Sequence, residues 1–181
     1  MKEYKAIGLL LLTSLIWGFA FVAQSQAGDY VSPYTYNGIR MILGFMTLLP
    51  ALVGPLKKHK GDKNYYCKVL EGGLICGAIL GAASTFQQFG IVATSAGKSG
   101  FITSLYVLFV PFLSVFLKKK VSVRTWICVF FGLCGAFFLS ISGESGITYG
   151  DILVFICAVL FAVHIMFIDY YNSFIEGVVL S

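Results

Sequence analysis

Arg40 is the residue best suited to do chemistry in this sequence. It lies about two turns into an otherwise apolar stretch that begins at Pro33. A charge at that depth in hydrocarbon costs several kcal/mol unless it snorkels, pairs or faces a wet cavity. Asn37 stands one turn earlier on the same helical face. Together they can hold a carboxylate or phosphate of a substrate. Arg40 can equally snorkel outward or bind the carbonyls of a neighbouring helix, and both roles stay open.

Other polar residues interrupt apolar runs. Ser84, Thr85, Gln87 and Gln88 fall in the stretch 69–92, with Ser84 and Gln88 at i,i+4 spacing. They suit either the lining of a polar path or hydrogen bonds between helices. The glutamines, being bulkier, are the better lining candidates, and the Ser and Thr the better interhelical bonds. Trp17, Tyr36, Tyr106 and Phe109 can wall an apolar or cationic solute. Single aromatics also anchor helices in lipid. His164 is a packing residue or a proton carrier, and the packing role is the more common. The candidate substrate-binding set is Trp17, Asn37, Arg40, Gln87, Gln88 and Tyr106.

Catalytic and metal constellations are missing. The sequence has no G-x-S-x-G, H-E-x-x-H or P-loop, and His59 and His164 have no companion acid. Cys67, Cys76, Cys128, Cys134 and Cys157 form no CxxC pair and read as small packing residues. Neither an enzyme, a metal site nor a cofactor is expected.

The elements that must position these residues follow from composition. Of 181 residues, 58% are hydrophobic and 12% charged, and mean hydropathy is +0.87. Soluble domains carry about 25% charged residues. So few charges cannot coat a soluble surface, and disorder is excluded for the same reason. The expected fold class is all-α, a polytopic membrane protein of about six transmembrane helices. Six stretches approach the ~20 residues that span hydrocarbon. They are 6–24, 33–56, 69–92, 99–117, 122–141 and 150–168. Ser32 and Pro33 suit an N-cap and first helical position. Pro50 and Pro55 mark a bent or fraying exit, and Pro111 a kink. Gly73, Gly77 and Gly81, then Gly132 and Ala136, form small-residue ridges for close helix contact, and Gly18 allows close approach beside Trp17. Residues 169–181 are too short and mixed for a further span, and Lys2, Lys5 and the run after them read as a retained first helix rather than a cleaved signal.

Net charge is +5, with the basic residues in blocks between apolar runs. That pattern sets topology and does not signal nucleic-acid binding. Lys2 and Lys5, then Lys57 to Lys68, then Lys118 to Arg124 fall in alternate loops. The opposite loops hold Asp29, Lys98 and Glu144. The positive-inside rule then places the N-terminus in the cytoplasm. Asp151 sits in the first turn of the last span, where it complements the helix dipole.

The run Thr13-Ser14-Leu15-Ile16-Trp17-Gly18 also aligns with Cys157-Ala158-Val159-Leu160-Phe161-Ala162. Chance similarity between apolar helices accounts for a match this short as readily as a repeat does. If it is a repeat, five spans separate the two copies. An odd number inverts the second copy in the membrane, as in many alternating-access transporters.

The sequence resembles the EamA-type transporters of the drug/metabolite transporter superfamily, in the bacterial ten-helix branch. The resemblance lies in IWGFAFVAQ at 16–24, SPYTYNGIRMILG at 32–44, residues 88–140, and GDILVFICAVLFAVHIMFIDYY at 150–171. It implies a carrier of small metabolites, amino acids or drugs in the inner (cytoplasmic) membrane, with ten spans in two inverted five-helix repeats around a central cavity. Residues 1–142 would be the first repeat, and 149–181 the truncated start of the second. Trp17-Gly18, Arg40 and Pro111 carry over to the family pattern. Lys118-Lys119-Lys120 stand where many members have a glutamate. The implied partners are a small-molecule substrate, the bilayer, and a second copy of the chain or a second-half polypeptide. A non-transporting membrane subunit and a non-functional fragment are the alternative readings.

Overall fold

The computed structural model describes residues 2–116, 121–141 and 146–180, and among them every regular element is an α-helix. The helices are α1 (Lys2–Ala27), α2 (Pro33–Lys58), α3 (Lys63–Val92), α4 (Ala96–Ser104), α5 (Tyr106–Phe116), α6 (Val123–Ile141), α7 (Tyr149–Tyr171) and α8 (Gly177–Leu180). Five spans are long and apolar enough to cross a membrane: α1, α2, α3, α7, and α4 with α5 taken together. α6 carries the shorter apolar stretch Val123–Gly135. Lys118, Lys119, Lys120 and Glu144 lie outside the described residues.

Short polar caps set the helix starts. Ser32, Asp62, Ser95 and Thr148 each accept a backbone N–H from the first turn of α2, α3, α4 and α7. Each satisfies a donor that the helix cannot satisfy itself. Thr148 and Asp151 do so reciprocally, as a capping box. Gly61, at φ +92°, takes the left-handed conformation that the turn between α2 and α3 requires.

α3 and α7 form the centre of the bundle, with the most extensive helix–helix interface. α3 buries Gly72, Cys76, Ala83, Ser84, Gln87 and Ile91, a stripe close to helical period. α7 answers with Val154, Cys157, Ala158 and Ala162. Small residues on both sides let the backbones approach, where dispersion contacts supply the attraction that lipid-solvated side chains lack. A Cβ on Gly90 would lie 2.8 Å from the Gly150 carbonyl oxygen, and one on Gly150 only 2.7 Å from the Gly90 carbonyl oxygen. At the opposite end of the bundle Tyr65, Cys76, Tyr171, Ile175 and Leu180 pack together, so α8 folds back onto α3 instead of continuing outward.

α1 and α2 are peripheral. Among the described residues α1 buries only Phe21 and Gln24, and α2 only Asn37, all toward the ends joined by the 28–32 turn. Leu9 to Leu12, Leu15, Phe19, Ile42 and Phe45 are exposed. Water would not tolerate that continuous apolar surface, and lipid does.

Two sequence expectations need correction. The ridge of Gly73, Gly77 and Gly81 meets no neighbour, since a Cβ at any of them finds nothing within 4 Å. The close contacts fall on Gly72 and Gly90, on the α3 face toward α7. Gly18 is likewise open. The fourth span is divided at Leu105 into α4 and α5, with Pro111 inside α5. Leu105 N–H bonds to Ile102 O, an i→i−3 contact that tightens the turn and redirects the chain. α2 runs through Pro50 and Pro55 to Lys58, two residues beyond the expected 33–56 span. Gly132 does pack closely, with its Cβ position 2.8 Å from Leu108 Cδ1.

Candidate functional site

A cavity of about 360 Å³ opens between α1, α2, α3 and α7. Its polar lining is Gln24, Tyr36, Arg40, Ser84 and Gln87, and its apolar lining is Ile16, Trp17, Ala20, Met41, Leu80 and Phe161. The volume falls at the small end of the ~300–1,000 Å³ usual for small-molecule sites.

Arg40 is half-buried on the α2 wall. Its Nη1 donates to Gln24 Oε1 at 3.0 Å, and its guanidinium carbon stands 5.8 Å from the centre of the Tyr36 ring. Among the described residues no carboxylate forms an ion pair with it; those pairs are Lys58–Glu176, Lys68–Glu71 and Lys98–Asp151. A guanidinium carries five N–H donors in a planar fork. One amide oxygen and one ring face leave most of that capacity, and the whole charge, facing the cavity.

Amide side chains in and behind this wall brace it. Asn37 Nδ2 donates to Ser84 O at 3.0 Å, tying α2 to α3. Gln88 Nε2 donates to Gln24 O at 3.1 Å, tying α3 to α1. Gln87 Nε2 reaches Thr103 Oγ1 on α4 at 3.3 Å. The Asn37 Oδ1 and Gln88 Oε1 atoms are buried with no hydrogen-bond partner. Of the three, Gln88 holds Gln24 directly, at its backbone carbonyl, and the Gln24 side chain in turn bonds Arg40.

Of the sequence-derived set, Trp17, Arg40 and Gln87 line the cavity together. Asn37 and Gln88 stand one layer behind it and hold helices in register. Tyr106 lies on α5 with its ring 6.1 Å from that of Phe161, which itself lines the cavity. Gln24 was not singled out from the sequence, although a glutamine near the end of an apolar run is the same signal that drew attention to Gln87. His164 is buried on α7 away from these linings, with Nδ1 unpartnered. Trp17 and Phe161, the equivalent aromatics of the two aligned runs, line one cavity.

A second polar cluster closes the end of the bundle where α3 stops and α7 starts. Lys98 Nζ lies 2.6 Å from Asp151 Oδ2 and donates to Gly146 O at 2.7 Å. Thr94 Oγ1 donates to Asp151 Oδ1 at 2.7 Å, and Thr148 N–H to Oδ2 at 2.8 Å. Lys98, placed in a loop by the sequence reading, is therefore inside α4 and charge-paired.

The family profile of the EamA-like transporter family matches residues 4–141. The chain belongs to that family. It is 33% identical over 172 residues to an uncharacterized transporter of Archaeoglobus fulgidus, covering 94% of this chain and 51% of that protein. It is 24% identical over 158 residues to the uncharacterized transporter YoaV of Bacillus subtilis, covering 84% of this chain and 52% of that protein. The chain thus spans about half the length of the curated relatives it matches. No solved structure matches it. Family membership and the five apolar spans make it a multi-pass membrane protein of a transporter family, and the cavity between α1, α2, α3 and α7 is its candidate solute site.

Proposed function

We propose that the chain forms part of a secondary transporter that moves small metabolites across the cytoplasmic membrane. The reading rests on one observation: a cavity of metabolite size in the apolar bundle carries a guanidinium that has no acidic partner among the described residues. Such a group is costly in a purely structural role and useful in a binding one. The reading assigns the chain no bond-making chemistry.

The proposed architecture is one five-helix repeat, residues 1–142, followed by the opening of a second at 149–181. The presence of Trp17 and Phe161 in one cavity lining supports it, because an inverted repeat puts equivalent positions of its two first helices on a shared site. The relatives' additional length supports a fuller assembly. In it a second copy of the chain or a further polypeptide covers the exposed faces of α1 and α2, and the bilayer covers the rest. Alternating access then comes from rocking of the repeats about the cavity.

Orientation follows the basic residues. Lys57, Lys58, Lys63, Lys68 and Arg124 gather at or near one end, and the lysine of the other end, Lys98, is neutralised by Asp151. That asymmetry supports a cytoplasmic N-terminus.

The test is solute flux in proteoliposomes loaded with a mixture of cellular metabolites. One or a few solutes should leave faster than from protein-free vesicles. Equal retention of every solute, with correctly inserted protein, would overturn the transporter reading and favour a non-transporting membrane subunit.

A further inference from the structure

We infer that the cavity selects small organic monocarboxylates with an apolar body. This inference rests on the transporter reading and names the substrate class of the same site.

Charge decides the first part. Arg40 is half-buried, and its Gln24 and Tyr36 contacts do not neutralise it. An anion entering the cavity supplies the missing counter-charge and accepts the free N–H groups of the fork, a strong charge-assisted contact. A cation meets repulsion there and finds no carboxylate on the described walls. A neutral solute leaves the guanidinium as poorly paired as before.

The count of charges decides between anions. Among the described lining residues Arg40 is the one cationic group, and Lys98, in the polar cluster at the end of the bundle, is paired with Asp151. One guanidinium balances one negative charge. A phosphate dianion would carry a second, uncompensated charge into a low-dielectric site. Carboxylate geometry also matches the planar fork bidentately.

The remaining lining decides the body. Trp17, Met41, Leu80 and Phe161 present apolar and aromatic surface to the same cavity as Arg40. A hydrocarbon or single-ring substituent on the carboxylate fills that space and gains from its burial. A small hydroxylated acid would strand its hydroxyls against it.

The experiment uses the purified full chain in detergent with Trp126→Phe, which leaves Trp17 as the only tryptophan and so a reporter inside the cavity. The probes are phenylacetate, its neutral amide phenylacetamide, the cation phenethylamine, and inorganic phosphate. Phenylacetate should change Trp17 fluorescence saturably, with the other three at least about tenfold weaker. Arg40→Met should weaken phenylacetate by about tenfold or more, and Arg40→Lys should recover part of the loss. Gln24→Glu offers a control that does not remove the charge: its carboxylate occupies the position of Gln24 Oε1, pairs with Arg40 and competes with the ligand. It too should weaken binding by about tenfold.

Equal binding of the amide, or undiminished phenylacetate binding in both Arg40→Met and Gln24→Glu, would overturn the monocarboxylate assignment and leave the transporter reading in place. Preference for phosphate would do the same. No saturable response to any probe would also overturn the assignment, and only the separate flux measurement would then decide on transport.

Discussion

Asp151 on α7 and Lys98 on α4 form a buried ion pair with Nζ 2.6 Å from Oδ2, and their side chains are only 7% and 11% exposed. The carboxylate is fully served: Thr94 holds one oxygen, and Lys98 and the Thr148 N–H hold the other. The pair therefore fastens the start of α4 to the start of α7. Asp151 also caps its own helix. Removing one partner strands the other charge, which is the costly event for buried pairs. Lys98→Met or Asp151→Asn should each cost about 3 kcal/mol in detergent unfolding. The double variant should lose less than the two singles added, because no lone charge is left behind. Additive losses in the cycle would mean that the two groups act independently.

Glycine positions divide by what faces them. A Cβ on Gly150 would meet Gly90 O and Ala93 C at 2.7 Å, and neither backbone atom can rotate away. Gly150→Ala should open the α3–α7 contact and lower the thermal midpoint sharply. Gly77→Ala meets nothing within 4 Å. In the isolated chain it should be neutral or stabilising by up to about 1 kcal/mol, from helix propensity alone. The same unfolding series measures both, and a destabilised Gly77→Ala would mean that this face is packed in the detergent-solubilised protein.

The sequence made the spans legible because hydrocarbon imposes a length and an apolar composition that few other folds mimic. It made Arg40 legible for the same reason, since one charge in an apolar run is conspicuous. The face a small residue presents was not legible. Gly73, Gly77 and Gly81 share a spacing with no partner, whereas Gly72 and Gly90 pack against α7. Periodicity identifies a stripe, but the neighbour that fills it comes from elsewhere in the chain. Asn37 and Gln88 illustrate the matching limit for polar residues. Their types suit a lining, and only the helix rotation reveals that they bond to Ser84 O and Gln24 O behind the wall. Lys98 was hidden because its partner is 53 residues away.

Gln88 tests the bracing layer. Its Nε2–Gln24 O bond joins α3 to α1 in a fully buried setting. Gln88→Leu removes that bond and should cost about 1–2 kcal/mol of stability, the usual range for a buried hydrogen bond lost with one partner left unpaired. It should also weaken ligand binding without touching the ligand, because Gln24 positions Arg40. Gln88→Glu, which restores an acceptor but not the donor, should fail to rescue. Wild-type affinity in Gln88→Leu, measured by Trp17 fluorescence, would separate the brace from the site.

Cysteine accessibility checks the orientation. Cys67 is exposed near the start of α3, at the lysine-rich end, whereas Cys76 and Cys157 are fully buried in the α3–α7 interface. Exposed thiols react with maleimides, and thiols enclosed by packed helices do not. A membrane-impermeant maleimide added to intact cells should leave Cys67 unmodified, and the same reagent added to inside-out vesicles should label it, with the site located by peptide mass. Cys76 and Cys157 should stay unmodified in both until the protein is denatured. Labelling of Cys67 in intact cells would put Lys57 to Lys68 on the outer face. It would reverse the proposed topology without disturbing the helical packing.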